Sequence, residues 1–281
     1  MDFIHSTRPS PIAGTWYTRD AERLRAEIDQ YIEGAVLSHD EFKGNLFGIV
    51  APHAGHIYSG KTAGYAYRMV KGLKRDIVVV LSPFHQYHPA DVLTTAFDSY
   101  ATPLGSVPVE TQLLGKLDAA LREAGFPITQ IDHDPEHAIE IQLPFLQRAI
   151  DGDFTLLPLM IRTHSARSVR LIAEKLMEIL AGRTYLIVAS TDLSHFFALE
   201  AAQELDAEML RRIKAMDADR VLSAEVDGSA SACGAPAVAV LLYAAKMQHN
   251  AAAFILNYAT SADVTGDASS VVGYGSAAVM I

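Results

Sequence analysis

The sequence predicts an α/β fold: one domain over residues 1–281, built on a sheet covered by helices. Three observations predict it. Short apolar runs rich in Val and Ile recur along the chain, and such runs suit strands buried on both faces. Segments with helical apolar spacing separate them. No low-complexity linker, charge block or repeat divides the chain. At 281 residues it is within the reach of one large α/β domain and long enough to bury a sizeable core.

The elements follow in order. Asp20 to Ile32 reads as an amphipathic helix, with Leu24, Ile28 and Ile32 on one face. Leu46 to Ala51 is the first buried strand and Lys61 to Lys71 the next helix. Ile77 to Leu81, "IVVVL", is the second strand, followed by a helix from Glu110 to Ala124. Near Pro135 a further helix is expected to begin, because proline is favoured in a first turn. Phe154 to Ile161 is a strand candidate. Ser165 to Ala181 opens on Ser and closes before Gly182, as helices do. Tyr185 to Ser190 is a strand, and Ala198 to Ala215 and the apolar stretch 235–245 are helices. Ala252 to Tyr258 and Val271 to Ile281 complete the sheet.

Composition excludes several classes of partner. Acidic residues (33) outnumber basic ones (23), and a net charge of −10 argues against a nucleic-acid or anionic-membrane surface. The single cysteine, Cys233, excludes an internal disulfide framework and a cysteine-only metal site, and it fits a reducing cytoplasm. Met1 to Pro11 has no apolar core of the kind a signal peptide carries. The stretch 235–245 is too short for a span, which needs roughly 18 to 20 residues.

The polar chemistry follows the strands. "PHAGHIYSG" comes after Leu46–Ala51, "SPFHQYHP" after Ile77–Leu81 and "TDLSHF" after Tyr185–Ser190. Ligands in α/β sheets gather outside the carboxyl ends of strands, so these loops could meet at one pocket. His53/His56 and His85/His88 are two H-x-x-H pairs, and imidazole serves zinc, copper and iron; ordinary loop histidines are the alternative. Gly55 to Thr62 also matches the phosphate-loop pattern, with Lys61 and Thr62 in the phosphate and Mg²⁺ positions. Bulky His56, Ile57 and Tyr58 inside it speak against that reading. Asp192 could orient His195 for proton transfer, or cap the helix that follows. In "DHDPEHAIEIQLPFL", a helix from Pro135 would put His137 and Glu140 on one face. Those two, with Glu136, either complement a helix dipole or orient a metal ligand. Cys233, before a helix, is either a ligand or a small buried residue. "GYGSAA" at 273–278 leaves no room for a dinucleotide-binding helix, and neither a nucleophile elbow nor an H-E-x-x-H helix is present.

Six strings carry a resemblance: "AGTWY" at 13–17, "APHAG" at 51–55, "HAIEIQLPFL" at 137–146, "STDLSHF" at 190–196, "ACGAPAVAVLL" at 232–242 and "SSVVGYGSAA" at 269–278. Together they resemble the Memo family, including the B protein of the AmmeMemoRadiSam system, in order and over nearly the whole chain. That resemblance implies a fold like the class III extradiol dioxygenases: a single domain with a central mixed sheet flanked by helices. It also tells against the phosphate loop. Carried over by motif, it implies a metal held by His53, His85 and Cys233, with His195 as acid/base residue beside Asp192. Trp16 and Tyr58 would line the pocket, and we take His137 and Glu140 as substrate-binding candidates with them. Phe84 stands where the family usually has a small residue, and His88 follows as a rival ligand.

The leading expectation is a non-haem Fe²⁺ dioxygenase-like oxidoreductase acting on a phenolic or other chelating small molecule. Copper or zinc are the alternative ions, because a thiolate is softer than a carboxylate. The rival functions are a Zn²⁺ or Fe²⁺ hydrolase and a non-enzymatic metal- or peptide-binding adaptor. Radical-SAM and AMMECR-type proteins are the partners the resemblance implies.

Overall fold

The computed structural model describes residues 1–37 and 42–281. In chain order the elements are β1 (Ile4–Arg8), α1 (Ala21–Gly34), β2 (Leu46–Ala51), α2 (His56–Val70), β3 (Ile77–Ser82), β4 (Val92–Thr95), β5 (Phe97–Thr102) and β6 (Gly105–Pro108). Then come α3 (Thr111–Glu123), β7 (Ile128–Ile131), a 3₁₀ turn at Glu140–Gln142, α4 (Leu143–Ala149), β8 (Thr155–Ile161), α5 (Ala166–Leu180), β9 (Tyr185–Ser190) and β10 (His195–Phe197). The chain ends through α6 (Leu199–Lys214), α7 (Ala218–Asp227), α8 (Ala235–Lys246), β11 (Ala252–Thr260), α9 (Ala262–Thr265) and β12 (Val271–Met280).

A nine-stranded mixed sheet runs β10-β12-β2-β9-β3-β8-β4-β7, with β11 also paired to β12. Its centre is four parallel strands, β2, β9, β3 and β8. Every residue of β2 and β3 is buried, which is why these strands read as continuous apolar runs rather than as alternation. Helices α1, α2 and α4 pack together against the sheet, while α8, backed by α5 and α7, covers it elsewhere. Ala235 to Ala245 is buried on all sides, so that stretch is core. Asp20 accepts from the Arg23 N–H and Ser165 from the Ser168 N–H, fixing the starts of α1 and α5. No helix among the described residues is long and apolar enough to cross a membrane.

Two expectations change, and one feature is new. Helix α2 begins at His56, not Lys61, so the segment that matches a phosphate loop is helical from its second residue and cannot wrap a phosphate. No helix starts at Pro135; the 3₁₀ turn starts at Glu140 and α4 at Leu143, so His137 and Glu140 do not share a helix face. A second, three-stranded sheet, β1-β5-β6, joins the N-terminus to residues 97–108. Its strands are short, and β1 finds its partner about ninety residues away, so no local pattern marks it.

The parallel centre places the chemistry. Because β9 lies between β2 and β3, the loop bearing Asp192 is flanked by the loops bearing His53 and His85. All three leave the carboxyl edge of the sheet.

Candidate metal centre

His53, His85 and His137 each offer a ligand atom, and these atoms lie within 4.8 Å of one another. The His85 and His137 rings stack at 4.6 Å, and the His53 ring stands edge-on to both, at 5.2 and 5.4 Å. Trp16 lies against the His137 ring at 4.2 Å.

A buried hydrogen-bond chain sets the tautomer of His53. Gln142 Nε2 donates to the Pro52 carbonyl at 2.9 Å and to Ser190 Oγ at 2.8 Å, while its Oε1 accepts from the Tyr67 hydroxyl. Ser190 spends its only proton on the Ala138 carbonyl, 2.7 Å away. Its remaining lone pair must therefore accept from His53 Nδ1, at 3.1 Å. The proton of His53 is thereby assigned to Nδ1, and Nε2 carries a lone pair, with Cys233 Sγ 3.1 Å from it. Burial first, then the charge of His85, push the His53 imidazole down to about 3, so it is neutral.

Glu136 does the corresponding work for His85. Its carboxylate accepts from the His85 N–H at 2.7 Å and from His85 Nδ1 at 2.9 Å. It also accepts from the N–H groups of His137 and Ala138, both at 2.9 Å. Burial opposes its ionisation, yet the hydrogen bond and charge of His85 prevail and hold the carboxyl at about 2. Burial likewise opposes charging His85, but the bond and charge of Glu136 outweigh it and raise the imidazole above its ordinary value. His137 Nδ1 is 3.3 Å from the same carboxylate; burial, and then His53, push it down to about 4. A carboxylate behind a ring nitrogen fixes the ring and raises its basicity as a metal donor. Three imidazoles held in this way fit a divalent ion of the iron, copper or zinc type.

Cys233 lies at the Nε2 end of His53. Its Sγ lies 3.1 Å from His53 Nε2 and accepts from the Asp192 N–H at 3.3 Å. Burial, with the Asp192 charge, raises the thiol well above its ordinary value. Gly234 allows this approach: a methyl there would overlap the Ser190 carbonyl oxygen and Thr191 Cβ. Gly234→Ala is expected to displace the Cys233 loop and to cost about 1–3 kcal/mol in urea denaturation. An unchanged midpoint would show that the loop adjusts freely.

The remaining sequence candidates fall as follows. Asp192 is buried and accepts from the His53 N–H at 2.7 Å, and no hydrogen bond joins it to His195; it orients the His53 loop instead. Burial raises its carboxyl. His195 is half-buried on β10 and close enough for its charge to reach His53 and Asp192. Trp16 and Tyr58 line a cavity of about 420 Å³ with Phe196, Val272 and Tyr274. Glu140 is not in that cavity. It is fully buried, and its carboxylate accepts from Arg8 Nη1 at 2.7 Å, Ser10 Oγ at 2.6 Å and the Tyr17 hydroxyl at 2.8 Å. The turn at 138–140 sends it toward the N-terminal arm, away from His137. His88 Nδ1 accepts from the Ala90 N–H and is not in the imidazole group. Lys61 is exposed. Gln142 and Ser190 gave no sequence signal; an amide and a hydroxyl in apolar segments mark nothing until their partners are known.

Fold and site together define an α/β protein with a histidine-lined centre at the carboxyl edge of its parallel strands. The family model "Memo-like protein" matches residues 8–278, and the chain belongs to the Memo family. MEMO1 family proteins of Nitrosopumilus maritimus (31% identical over 95% of this chain and 98% of that protein) and Methanosarcina acetivorans (32%, 95% and 97%) are among its relatives. In fold it is similar to the crystal structure of an uncharacterized Escherichia coli K12 protein, with a TM-score of 0.53 at 16% identity. That likeness covers 83% of this chain and 99% of the other. Family membership and the histidine cluster both fit metal binding.

Proposed function

We infer that the chain is a metal-dependent oxidoreductase of the extradiol-dioxygenase type, acting on a phenolic or other chelating small molecule. The observation that carries this reading is the set of three imidazoles, two of them backed by one carboxylate, converging beside an aromatic-walled cavity. His53, His85 and His137 would hold the ion, with Cys233 as the adjoining donor. The motif-based set has Cys233 in place of His137, so the two sets differ in one member. A bound Fe²⁺ would supply a redox centre with open positions for substrate and O₂. The rest is the work of the chain. Glu136 and Ser190 hold the rings in one tautomer, Trp16 fixes His137 from behind, and Asp192 fixes the backbone at His53. His195 is the group free to move a proton, since no hydrogen bond among the described residues engages its ring.

The test is elemental analysis of protein purified under argon, followed by oxygen uptake with catechols. Near-stoichiometric iron and catechol-dependent oxygen consumption are expected. Loss of iron in His137→Ala with retention in Cys233→Ala would favour the three-imidazole set, and the converse the thiolate set. Zinc, with product formed in the absence of oxygen, would replace the oxidoreductase by a hydrolase.

A further inference from the structure

Helix α6 carries a charge on the face that should be apolar. Ala202, Asp206, Met209 and Ile213 form its buried stripe, and Asp206 is fully buried. A buried carboxylate is costly unless its lone pairs are used, and no cation offsets this one among the described residues. Its Oδ1 accepts from the Ser194 N–H at 2.8 Å, and its Oδ2 accepts from the Tyr258 hydroxyl at 2.8 Å. Burial raises the carboxyl above its ordinary value, and these bonds pull it back only in part. An apolar side chain of the same size would pack without that cost, so stability alone does not account for the carboxylate.

What the carboxylate holds is the residue before His195. The Leu193 N–H donates to the Gly273 carbonyl and the Gly273 N–H to the Ser194 carbonyl, both at 2.9 Å. Gly273 in turn lies flat on Asp206, since a methyl there would overlap the carboxylate. Both backbone polar groups of Ser194 are thereby engaged, one by Asp206 and one by the glycine pressed against it. On the far side of His195, Phe196 holds φ at 64°, in the left-handed region that bulky side chains avoid, where the β10–β12 pairing shifts register. Such irregularities re-aim a side chain. The His195 ring makes no hydrogen bond among the described residues, and the Phe196 ring stands edge-on to it at 5.7 Å. Its direction therefore comes from the backbone on either side. That direction brings its charge within reach of His53 and Asp192.

We propose that Asp206 is the positioning residue for His195, holding its imidazole toward the metal centre through the Ser194 N–H without touching the centre itself. This rests on the functional reading above for its effect on turnover, but not for the placement of the ring. A positioning role separates three substitutions. Alanine removes the acceptor. Leucine also removes it but fills the space, so the variant keeps its packing. Asparagine keeps an oxygen for the Ser194 N–H, and the Tyr258 hydroxyl can turn to accept from its amide.

The first measurement is the nuclear magnetic resonance of isotope-labelled histidine rings in the full chain, freed of metal by a chelator. The His195 signals are assigned by their loss in His195→Gln. Asp206→Ala and Asp206→Leu are each expected to shift or split those signals while the other imidazoles keep theirs. Asp206→Asn is expected to leave them in place. Tyr258→Phe should leave them too, although it also removes a bond from the carboxylate, so lost stability by itself does not move the ring. The second measurement is oxygen uptake with 4-methylcatechol by protein as isolated. Asp206→Ala should lower kcat about ten- to a hundred-fold with KM changed less than about two-fold, and Asp206→Asn should restore most of the rate. Added to His195→Gln, Asp206→Ala should cost nothing more. His195 signals unmoved in the alanine and leucine variants, or an asparagine variant as damaged as the alanine one, would overturn the proposal. Signals that move as expected in a protein whose parent consumes no oxygen would sink the oxidoreductase reading and leave the positioning role standing.

Discussion

Replacing Arg8 by alanine is expected to cost about 3–5 kcal/mol of stability, because it strips the cation from a buried polar cluster. The guanidinium is 1% exposed. Its Nε donates to Asp134 Oδ2 at 2.7 Å, Nη1 to Glu140 Oε2 at 2.7 Å and Nη2 to the Glu136 carbonyl at 2.6 Å. The Tyr100 ring lies 4.9 Å beneath it, and its hydroxyl donates to Asp134 as well. Burial works against the charge, but Tyr100, Asp134 and Glu140 together keep the guanidinium well above its ordinary value. Alanine would leave the buried carboxylates of Asp134 and Glu140 with no cation, accepting only from hydroxyls and the Glu136 N–H. Arg8→Lys should recover little, since an ammonium cannot reach three acceptors in the fork geometry. Arg8→Ala combined with Glu140→Gln should recover part of the loss, because one stranded charge is then gone. Urea denaturation of the four proteins measures this. A loss below about 1 kcal/mol in Arg8→Ala would mean that water enters and replaces the arginine.

The Arg8 cluster also shows where sequence reasoning stops. The central strands and α8 are legible because burial on both faces leaves a local signature, an unbroken apolar run. His53, His85 and Asp192 are legible because they sit just past such runs, where an α/β sheet gathers ligands. Glu140 is not legible. Its partner Arg8 is 132 residues away, and the spacing to His137 suggests a shared helix face that the turn at 138–140 removes. Glu136 illustrates a subtler limit. An acidic residue at the head of a turn is expected to accept backbone N–H groups, and it does so from His137 and Ala138. The same carboxylate also reaches His85, fifty-one residues earlier, and no local pattern distinguishes one role from both. The phosphate-loop match fails for a related reason: letters at the right spacing do not say whether the segment is loop or helix, and residues from His56 onward are helical.

Removing His53 should abolish tight metal binding, and Glu136→Gln should weaken it by about ten- to a hundred-fold while leaving every proposed donor in place. His53 contributes a lone pair that the Ser190 chain has already oriented, so its loss removes a donor outright. Glutamine at position 136 loses less. Three donors point at Oε1: His85 Nδ1 and the N–H groups of His137 and Ala138. The amide oxygen would therefore stay on that side, and the NH₂ would turn toward the His85 N–H, which now meets a donor at a position that held an acceptor 2.7 Å away. The His85 loop must shift, and the negative charge that raised the basicity of the ring is gone. Both effects act on His85 first, so the off-rate of the ion should rise more than the fold destabilises. Chelator competition under argon, read beside urea denaturation of the same proteins, separates the two. Unchanged affinity in Glu136→Gln would mean that His85 is not a donor; affinity and stability lost in proportion would mean that Glu136 merely holds the turn together.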